Sequence, residues 1–351
     1  MQENEFFYRL TPQVIINAVE REGFKTTGVC WKLNSLENRV YDLELDDHSH
    51  IVVKFYRPGR WSKEQILEEH EFLFDLLNSD ISVCAPVRFK DYTSLKEIEG
   101  IYYAVWKRTG GRSLDEFSDI QYKTLGRLLG RIHSVGKMKQ SPHRLVFNSQ
   151  TLGRNPFEFL LLNSIIPSGL EKRYGELVNT ICVIYDDLSS GIPVHRIHGD
   201  CHIGNLLYGN DGFFFLDFDD FYTGPAVQDF WMLLPLNDAE SLYKTNLFLE
   251  GYSIFSEIKD SWLTLFEVLR GLRFIHYAGW IAKRWEDPAF KETFSHFGSD
   301  EYWLKETNDL EEQLKIIEKP VYSFSNHKVD VTQDQTEPEL GNKDIFWDWD
   351  G

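Results

Sequence analysis

Three polar residues within 18 positions have the types that phosphoryl transfer requires, namely Asp200, Asn205 and Asp217. Asn205 precedes the apolar run 206–208, Asp217 follows the run 213–216, and a Gly-Asn-Asp-Gly turn joins the runs. This pattern predicts a β-hairpin, whose ends lie side by side. An amide oxygen and a carboxylate would then converge on one Mg²⁺ ion. Asp200, in the preceding loop, could act on a hydroxyl group beside metal-bound phosphates.

Taken one at a time, the same residues are typical of structural positions. Gly-Asp and Asn-Asp-Gly are common turn sequences, and the pair Asp219-Asp220 is typical of a solvated strand end. The complete set, in this order and beside an apolar hairpin, favours the catalytic interpretation. Asp200 and Asp217 are therefore the predicted catalytic residues, with Asn205 and Asp217 as the predicted metal ligands.

The motifs around these residues resemble a known family. His198-Gly199-Asp200, Asn205 and Leu216-Asp217-Phe218-Asp219 resemble the catalytic and metal loops of the aminoglycoside phosphotransferase branch of the protein-kinase-like fold. Three further segments, 34–41, 53–58 and 224–229, resemble the bacterial stress response kinase family, the RdoA-type protein kinases. The resemblance covers about residues 5–318.

This resemblance implies an α+β, two-lobed, protein-kinase-like fold. A small β-rich N-lobe is expected over residues 1–107 and a larger, mainly helical C-lobe over 108–319. The family further implies that ATP and Mg²⁺ are used to phosphorylate Ser and Thr residues of proteins, including the enzyme itself.

The N-lobe is expected to contain three strands at Val29–Leu33, Arg39–Leu45 and His50–Tyr56, which are rich in β-branched and aromatic residues. Protein kinases carry a glycine-rich loop between the first two strands, but this sequence has no G-x-G-x-x-G there. The resemblance suggests that Ser35 and Asn38 supply side-chain donors to the nucleotide instead. An ordinary polar hairpin turn is the alternative.

Lys54 lies in the third apolar strand, on the same face as Val52 and Tyr56. A buried ammonium group requires an anionic partner. In kinases this lysine pairs with the α- and β-phosphates and with a helix glutamate. On the following helix, predicted over Lys63–Leu77, Glu69 shares a face with Ile66, Leu73 and Leu76, which favours it over Glu68 and Glu71.

Residues 101–106 predict another strand, after which the kinase-like fold places the hinge between the lobes. Trp106 and Lys107 match the positions whose backbone meets adenine. Later in the chain, Asp229 is expected to open a helix over 230–234. In the kinase-like fold the corresponding aspartate braces the backbone of the catalytic loop.

The C-lobe is expected to contain a helix with a stripe at Leu125, Leu128, Leu129 and Ile132, and a core helix from Trp262 to Trp285. Residues 141–156 indicate a loop. Residues 320–351 carry seven acids and two lysines, with few apolar residues before 345, which predicts a disordered tail.

Composition excludes several other classes. The chain of 351 residues has a net charge of −18, which disfavours nonspecific nucleic-acid binding, and it contains no apolar run of the length that crosses a bilayer. The start is acidic, which argues against a signal peptide, and the four scattered cysteines are typical of reduced thiols. We therefore expect a cytoplasmic, monomeric enzyme that binds neither nucleic acid nor membrane.

Two rival functions remain open on sequence grounds. A small-molecule kinase of the aminoglycoside, choline or homoserine type would use the same catalytic residues. A nucleotide-binding pseudokinase scaffold would have no chemical need to keep Lys54, Asp200, Asn205 and Asp217 together.

Overall fold

The computed structural model describes residues 7–210, 212–234 and 239–319. A sheet occupies the N-terminal part, and a mainly helical region with two short strand pairs follows it. The strands are β1 Thr26–Leu33, β2 Arg39–Leu45, β3 His50–Phe55, β4 Lys96–Ile98, β5 Ile101–Lys107, β6 Val194–Ile197, β7 Leu206–Gly209, β8 Gly212–Phe215 and β9 Tyr222–Pro225. The first five form one antiparallel sheet in the spatial order β1-β2-β3-β5-β4, while β6 pairs with β9 and β7 with β8.

Most of the helices belong to the region that follows the sheet. The helices are α1 Pro12–Arg21, α2 Lys63–Asn78, α3 Asp119–Gly136, α4 Asn155–Leu162, α5 Glu171–Ser189, α6 Ala239–Tyr252, α7 Leu265–Lys283, α8 Pro288–Thr293 and α9 Asp300–Glu318. A π-helical turn, Gln150–Arg154, leads directly into α4.

Local sequence explains where helices α1 and α2 begin. Thr11 accepts a hydrogen bond from the amide of Val14 and Pro12 occupies the first turn, so α1 starts at Pro12. Ser62 and Gln65 form a reciprocal capping box at the start of α2. These caps satisfy amide groups that a helix cannot pair internally.

Helix α2 joins two hydrophobic cores. The smaller one lies beside the sheet, where Ile66 of α2 packs with Tyr56 and Ala104. The C-terminal half of α2, including Phe72 and Leu73, belongs instead to the larger core of the helical region. A side chain on α2 is therefore held from both sides, which fixes its position relative to the sheet and to the loops that follow α3.

Most of the sequence-based expectations for the fold are confirmed, including the α+β class with a sheet region followed by a helical region. Two are corrected. Residues 230–233 form turns after a short 3₁₀ helix over Ala226–Asp229, not the helix expected over 230–234, because the Asp229 side chain is bonded to backbone amides of another segment. The loop expected over 141–156 is interrupted from Gln150 by the π-helical turn.

The predicted disordered tail, 320–351, lies outside the described residues. Within the part of the chain that the structure describes, no helix combines the length and the apolar character needed to span a membrane.

Candidate active site

The β7–β8 hairpin brings Asn205 and Asp217 to the same end, as the sequence predicts. Leu206 pairs with Phe215, and the amide of Leu216 donates a hydrogen bond of 2.8 Å to the carbonyl of Asn205. Asn205 therefore precedes one strand and Asp217 follows the other, at the open end of a hairpin whose Phe215 is fully buried. Two oxygen-bearing side chains are thus held at neighbouring backbone positions.

Asp217 has an unusual backbone conformation that sets it apart from its neighbours. Its φ of 55° and ψ of 66° lie in the left-handed region, which Asp tolerates better than most residues. Its side chain is 55% exposed and lies 3.6 Å from the ammonium group of Lys54. The carboxylate is therefore open to a ligand while remaining close to a buried cation.

Asp200 lies beside this hairpin end and is surrounded by positively polarised groups. Nη1 of Arg273 donates a 3.0 Å hydrogen bond to Oδ1, and Nε2 of His202 lies 3.4 Å from Oδ2. The side-chain nitrogen Nδ2 of Asn205 donates to the backbone carbonyl of Asp200 at 3.0 Å. Burial acts to raise the pKa of Asp200, but His202 and Arg273 outweigh it and hold that pKa well below its usual range.

The backbone around Asp200 is fixed by Asp229. Its carboxylate accepts hydrogen bonds from the amides of His198, at 2.8 Å, and Gly199, at 2.7 Å. Nε2 of His133 lies 2.9 Å from the same carboxylate. Gly199 has φ +87°, and a Cβ there would lie 2.3 Å from the carbonyl oxygen of Asp220, so only glycine fits this turn. The predicted bracing by Asp229 is thus observed directly.

Lys54 forms the centre of a buried charged cluster. Its ammonium group lies 3.2 Å from Oε1 of Glu69 and 3.2 Å from Oδ1 of Asp219. The rings of Tyr56 and Trp106 are centred 4.8 and 5.1 Å from the same nitrogen. Burial acts to lower the pKa of Lys54, but Asp219 and Glu69 outweigh it, and the pKa lies well above its usual value.

The other two glutamates considered for this role point elsewhere. Glu68 accepts a hydrogen bond from His143, and Glu71 lies 3.1 Å from the ammonium group of Lys139. The periodicity of the apolar residues on α2 therefore identified the correct partner of Lys54.

Asp219 belongs to this cluster, although the sequence analysis predicted no such role for it. Only 1% of the residue is exposed, and its Oδ2 accepts hydrogen bonds from Arg60 at 2.8 Å and Asn38 at 3.1 Å. The pattern Asp-Asp after a strand is typical of solvated residues, and this reading is wrong for Asp219. The sequence does contain a possible cationic partner for a buried aspartate, namely Arg60, beside the Pro-Gly turn that follows β3.

The remaining predicted residues occupy different surroundings. Asn38 uses its amide nitrogen on Asp219 and accepts from the amide of Arg57 at 3.1 Å, so it ties the β1–β2 turn to the loop after β8. Ser35, in the same turn, lines a cavity of about 410 Å³ beside α8. Trp106 donates to the carbonyl of Cys84, and the exposed Lys107 ends β5.

The donor set at the hairpin end suits a hard divalent cation that is also held by phosphates. Asn205 and Asp217 offer an amide oxygen and a carboxylate, which are typical ligands of Mg²⁺. Among the described residues, no group of three or more His, Cys, Asp or Glu side chains could hold a metal by itself. Mg²⁺ is commonly bound by one or two protein oxygens together with the phosphates of the substrate, and these two residues fit that pattern.

Comparison with known sequences identifies relatives over almost the whole chain. The family model described as "Phosphotransferase enzyme family" matches residues 32–256. The chain is 38% identical over 315 residues to stress response kinase A of Escherichia coli strain K12, covering 90% of this chain and 95% of that protein. It is 35% identical over 322 residues to the serine/threonine protein kinase RdoA of Salmonella typhimurium, covering 91% and 98%.

Solved structures show the same fold at lower identity. Amicoumacin kinase hAmiN, determined in complex with AMP-PNP, Ca²⁺ and Ami, superposes with a TM-score of 0.70 at 19% identity, covering 89% of this chain and 96% of that chain. A microcompartment-associated aminopropanol kinase superposes with a TM-score of 0.65 at 17% identity, covering 88% and 97%. At these identities the likeness supports the fold alone.

Proposed function

The chain belongs to the phosphotransferase enzyme family, and from this premise we propose that it transfers the γ-phosphoryl group of ATP to Ser and Thr hydroxyls of proteins, its own included. The family match and the kinase names of the relatives confirm the sequence-based prediction of an ATP-dependent phosphotransferase. The acceptor, the Mg²⁺ ion and the residue roles below are part of the proposal.

The observation that carries the proposal is the position of Asp200. Its carboxylate has a pKa well below the usual range, is partly exposed and is held beside the hairpin end that carries Asn205 and Asp217. An acceptor hydroxyl that donates a hydrogen bond to Asp200 is oriented toward the γ-phosphorus. The hydroxyl oxygen forms the new P–O bond, its proton passes to Asp200, and the bond to the β–γ bridging oxygen breaks, which releases ADP.

The nucleotide phosphates would meet two kinds of protein group. Lys54, fixed by Glu69 and Asp219, supplies a positive charge for the α- and β-phosphates. Asn205 and Asp217 would hold Mg²⁺, which neutralises charge that develops on the phosphate oxygens. Lys54 keeps its position because two carboxylates and two aromatic rings surround it, so little reorganisation is needed when phosphates bind.

The surroundings of Asp200 favour an acceptor without positive charge. Arg273 is 38% exposed and lies directly on the acceptor-facing carboxylate. A polycationic aminoglycoside would have to approach this guanidinium group at the cost of like-charge repulsion. In addition, residues 141–157 contain no acid that could attract such a substrate. A neutral polypeptide hydroxyl avoids both problems, and the relative named a serine/threonine protein kinase supports the same choice.

Reduced thiols and a need for ATP fit a cytoplasmic enzyme, and the names of the relatives suggest a role in a stress response. We include both in the proposal.

Labelling with γ-labelled ATP and Mg²⁺ tests the acceptor class. The purified chain is incubated alone, with casein, and with a panel of small alcohols that includes aminoglycosides, choline and homoserine. We expect label on Ser or Thr of the chain and of casein, and the Asp200→Asn variant, treated identically, sets the background.

Two results would overturn the proposal in different ways. Rapid labelling of one small alcohol, with protein label at the Asp200→Asn background, identifies a small-molecule kinase. Nucleotide binding without transfer to any acceptor identifies a scaffold.

A further inference from the structure

The β1–β2 turn, residues 34–38, is held by arginines that contact its backbone. Arg57 donates to the carbonyl of Leu36 at 3.0 Å and to that of Glu37 at 2.9 Å. Arg39 donates to the carbonyl of Asn38 at 3.2 Å. In protein kinases a flexible glycine-rich loop occupies this place, whereas here fixed cations hold a turn that has no glycine.

The side chain of Glu37 connects this turn to helix α7. Its Oε2 accepts hydrogen bonds from Nε1 of Trp280, at 2.9 Å, and from Nε of Arg284. Its Oε1 lies 3.1 Å from Nε of Arg57 and 3.6 Å from Nη1 of Arg60. The side chain is only 13% exposed. The Glu37 carboxylate thus joins two arginines that follow β3 to a tryptophan and an arginine at the C-terminal end of α7.

Asp287 makes a second connection at the same corner. Its Oδ2 lies 2.8 Å from Nη2 of Arg57 and 3.4 Å from Nη2 of Arg39, the arginines that hold the turn. Its Oδ1 caps α8 by accepting from the amide of Ala289 at 3.0 Å. The turn is therefore tied both to the end of α7 and to the start of α8.

The energetics favour only the docked position of the turn. Burial acts to raise the pKa of Glu37, but Arg60, Arg284 and Arg57 outweigh it, so the pKa falls below its usual value and the group is ionised. A buried carboxylate that loses its partners is strongly destabilising. Small displacements of the turn away from Trp280 are therefore disfavoured.

We propose that Glu37 is a positioning residue for the nucleotide. By docking the β1–β2 turn on Trp280 and Arg284, it places the residues of this turn for ATP before ATP arrives. Preorganisation of this kind improves affinity because the ordering of the turn is not repeated on binding. The inference rests on the proposed function only in taking ATP as the nucleotide, and it does not depend on the acceptor.

Helix α7 extends this connection toward Asp200. Arg273, Trp280 and Arg284 follow one another at spacings of seven and four residues, which places them on one helix face. The same face that receives Glu37 therefore also carries the arginine bonded to Asp200. Helix α7 therefore contacts both the β1–β2 turn, through Trp280, and the Asp200 carboxylate, through Arg273.

Calorimetric titration with Mg·ATP, without any acceptor, tests the role of Glu37. Glu37→Gln keeps the size and an oxygen acceptor but removes the charge. We expect its dissociation constant for Mg·ATP to rise about tenfold, within the usual range of coupling between sites. Glu286→Gln, which removes an exposed acid one residue from Asp287, is the matched control and should leave the constant unchanged.

The partner side of the contact is tested with Arg284→Gln and with the double variant. If Glu37 acts through Arg284, each single variant weakens binding and the double variant is little worse than the worse single one. A purely structural role would lower the melting temperature of Glu37→Gln yet leave Mg·ATP affinity of the folded protein unchanged, and this result would overturn the proposal.

Loss of folding in a variant and loss of nucleotide binding in the wild type have different meanings. Should Glu37→Gln fail to fold, Trp280→Phe removes one donor to the same carboxylate while keeping an aromatic ring, and unchanged affinity there would refute the positioning role. Wild-type protein that does not bind Mg·ATP at all would refute the proposed function instead. Binding without transfer leaves the Glu37 result interpretable by itself.

Discussion

Two groups of charged residues meet at the loop after β8, and they differ in access to solvent. Asp217 is 55% exposed and shares the hairpin end with Asn205, whereas Asp219, two residues later, is buried with Lys54 and Arg60. The open group can receive a substrate or a cation. The buried group is satisfied within the protein and fixes the position of a lysine. Neighbouring carboxylates of one motif therefore serve different purposes according to what surrounds them.

The backbone of Asp217 explains how one short loop produces both environments. Its left-handed conformation changes the direction of the chain between β8 and the 3₁₀ turn at Phe218–Asp220. Phe218 then packs against Phe72 of α2 and His198, which anchors Asp219 in the interior. A regular alternation of strand residues would not have separated the two aspartates in this way.

The largest effect is expected at the open group, in turnover. Asp200→Asn keeps the size of the side chain but removes its negative charge, so the acceptor hydroxyl loses its proton acceptor. We expect kcat to fall by roughly 10²–10⁴, the usual contribution of a positioned base. Steady-state kinetics measures this, and calorimetry should show Mg·ATP affinity close to that of the wild type. Wild-type turnover in this variant would remove Asp200 from the mechanism.

The buried group should respond in stability. Asp219→Asn leaves the Lys54 and Arg60 charges without one of their buried partners. Breaking a buried ion pair commonly costs about 3–5 kcal/mol. Urea unfolding should show a loss of this order for Asp219→Asn and a much smaller one for Asp217→Asn, because Asp217 is half exposed. Equal losses for the two variants would contradict the contrast between the two aspartates.

Metal-dependent nucleotide binding should depend on the open group, Asp217 and Asn205. Asp217→Ala removes a charged ligand of Mg²⁺, and Asn205→Ala removes a neutral one, so the first should weaken Mg·ATP binding more than the second. Titrations of both variants with ATP, in Mg²⁺ and in EDTA, separate the metal-dependent part of the affinity. If Asp217→Ala binds Mg·ATP as the wild type does, the metal ligand must be sought at another oxygen, with Asp220 as the next residue to test.

The sequence was sufficient where local pattern determined the structure. The two apolar runs around Gly-Asn-Asp-Gly predicted the β7–β8 hairpin, and the spacing of apolar residues on α2 placed Glu69 toward Lys54. Both inferences rest on periodicities that the backbone geometry imposes. For the same reason, the strand bounds of β2 agree with the expected ones.

Contacts between distant parts of the chain could not be read in this way. Arg273 reaches Asp200 from α7, and Glu37 reaches Trp280 and Arg284, through packing that no local pattern encodes. The expected helix over 230–234 was wrong for a related reason. Asp229 has a side-chain type that is common at helix starts, but its carboxylate is bonded to the amides of His198 and Gly199.

The contrast between open and buried groups extends to the histidines and gives the smallest of the expected effects. His202 is 29% exposed beside Asp200, whereas His195 is buried, and within the described chain neither of its ring nitrogens has a hydrogen-bond partner. Burial, with smaller contributions from His133 and Lys137, lowers the pKa of His195 to about 2. In the unfolded chain the ordinary value of about 6.5 applies.

Below pH 6.5 the unfolded state therefore binds a proton that the folded state does not. The contribution of His195 to stability is complete above that pH and is lost as the pH falls toward the folded pKa, by about 1.4 kcal/mol per pH unit. His195→Phe replaces the ring by an apolar one and removes this dependence. Urea unfolding between pH 7 and 5 should show a shallower acid loss in His195→Phe than in the wild type. Parallel pH profiles would mean that His195 binds a proton in the folded protein and is not held neutral by burial.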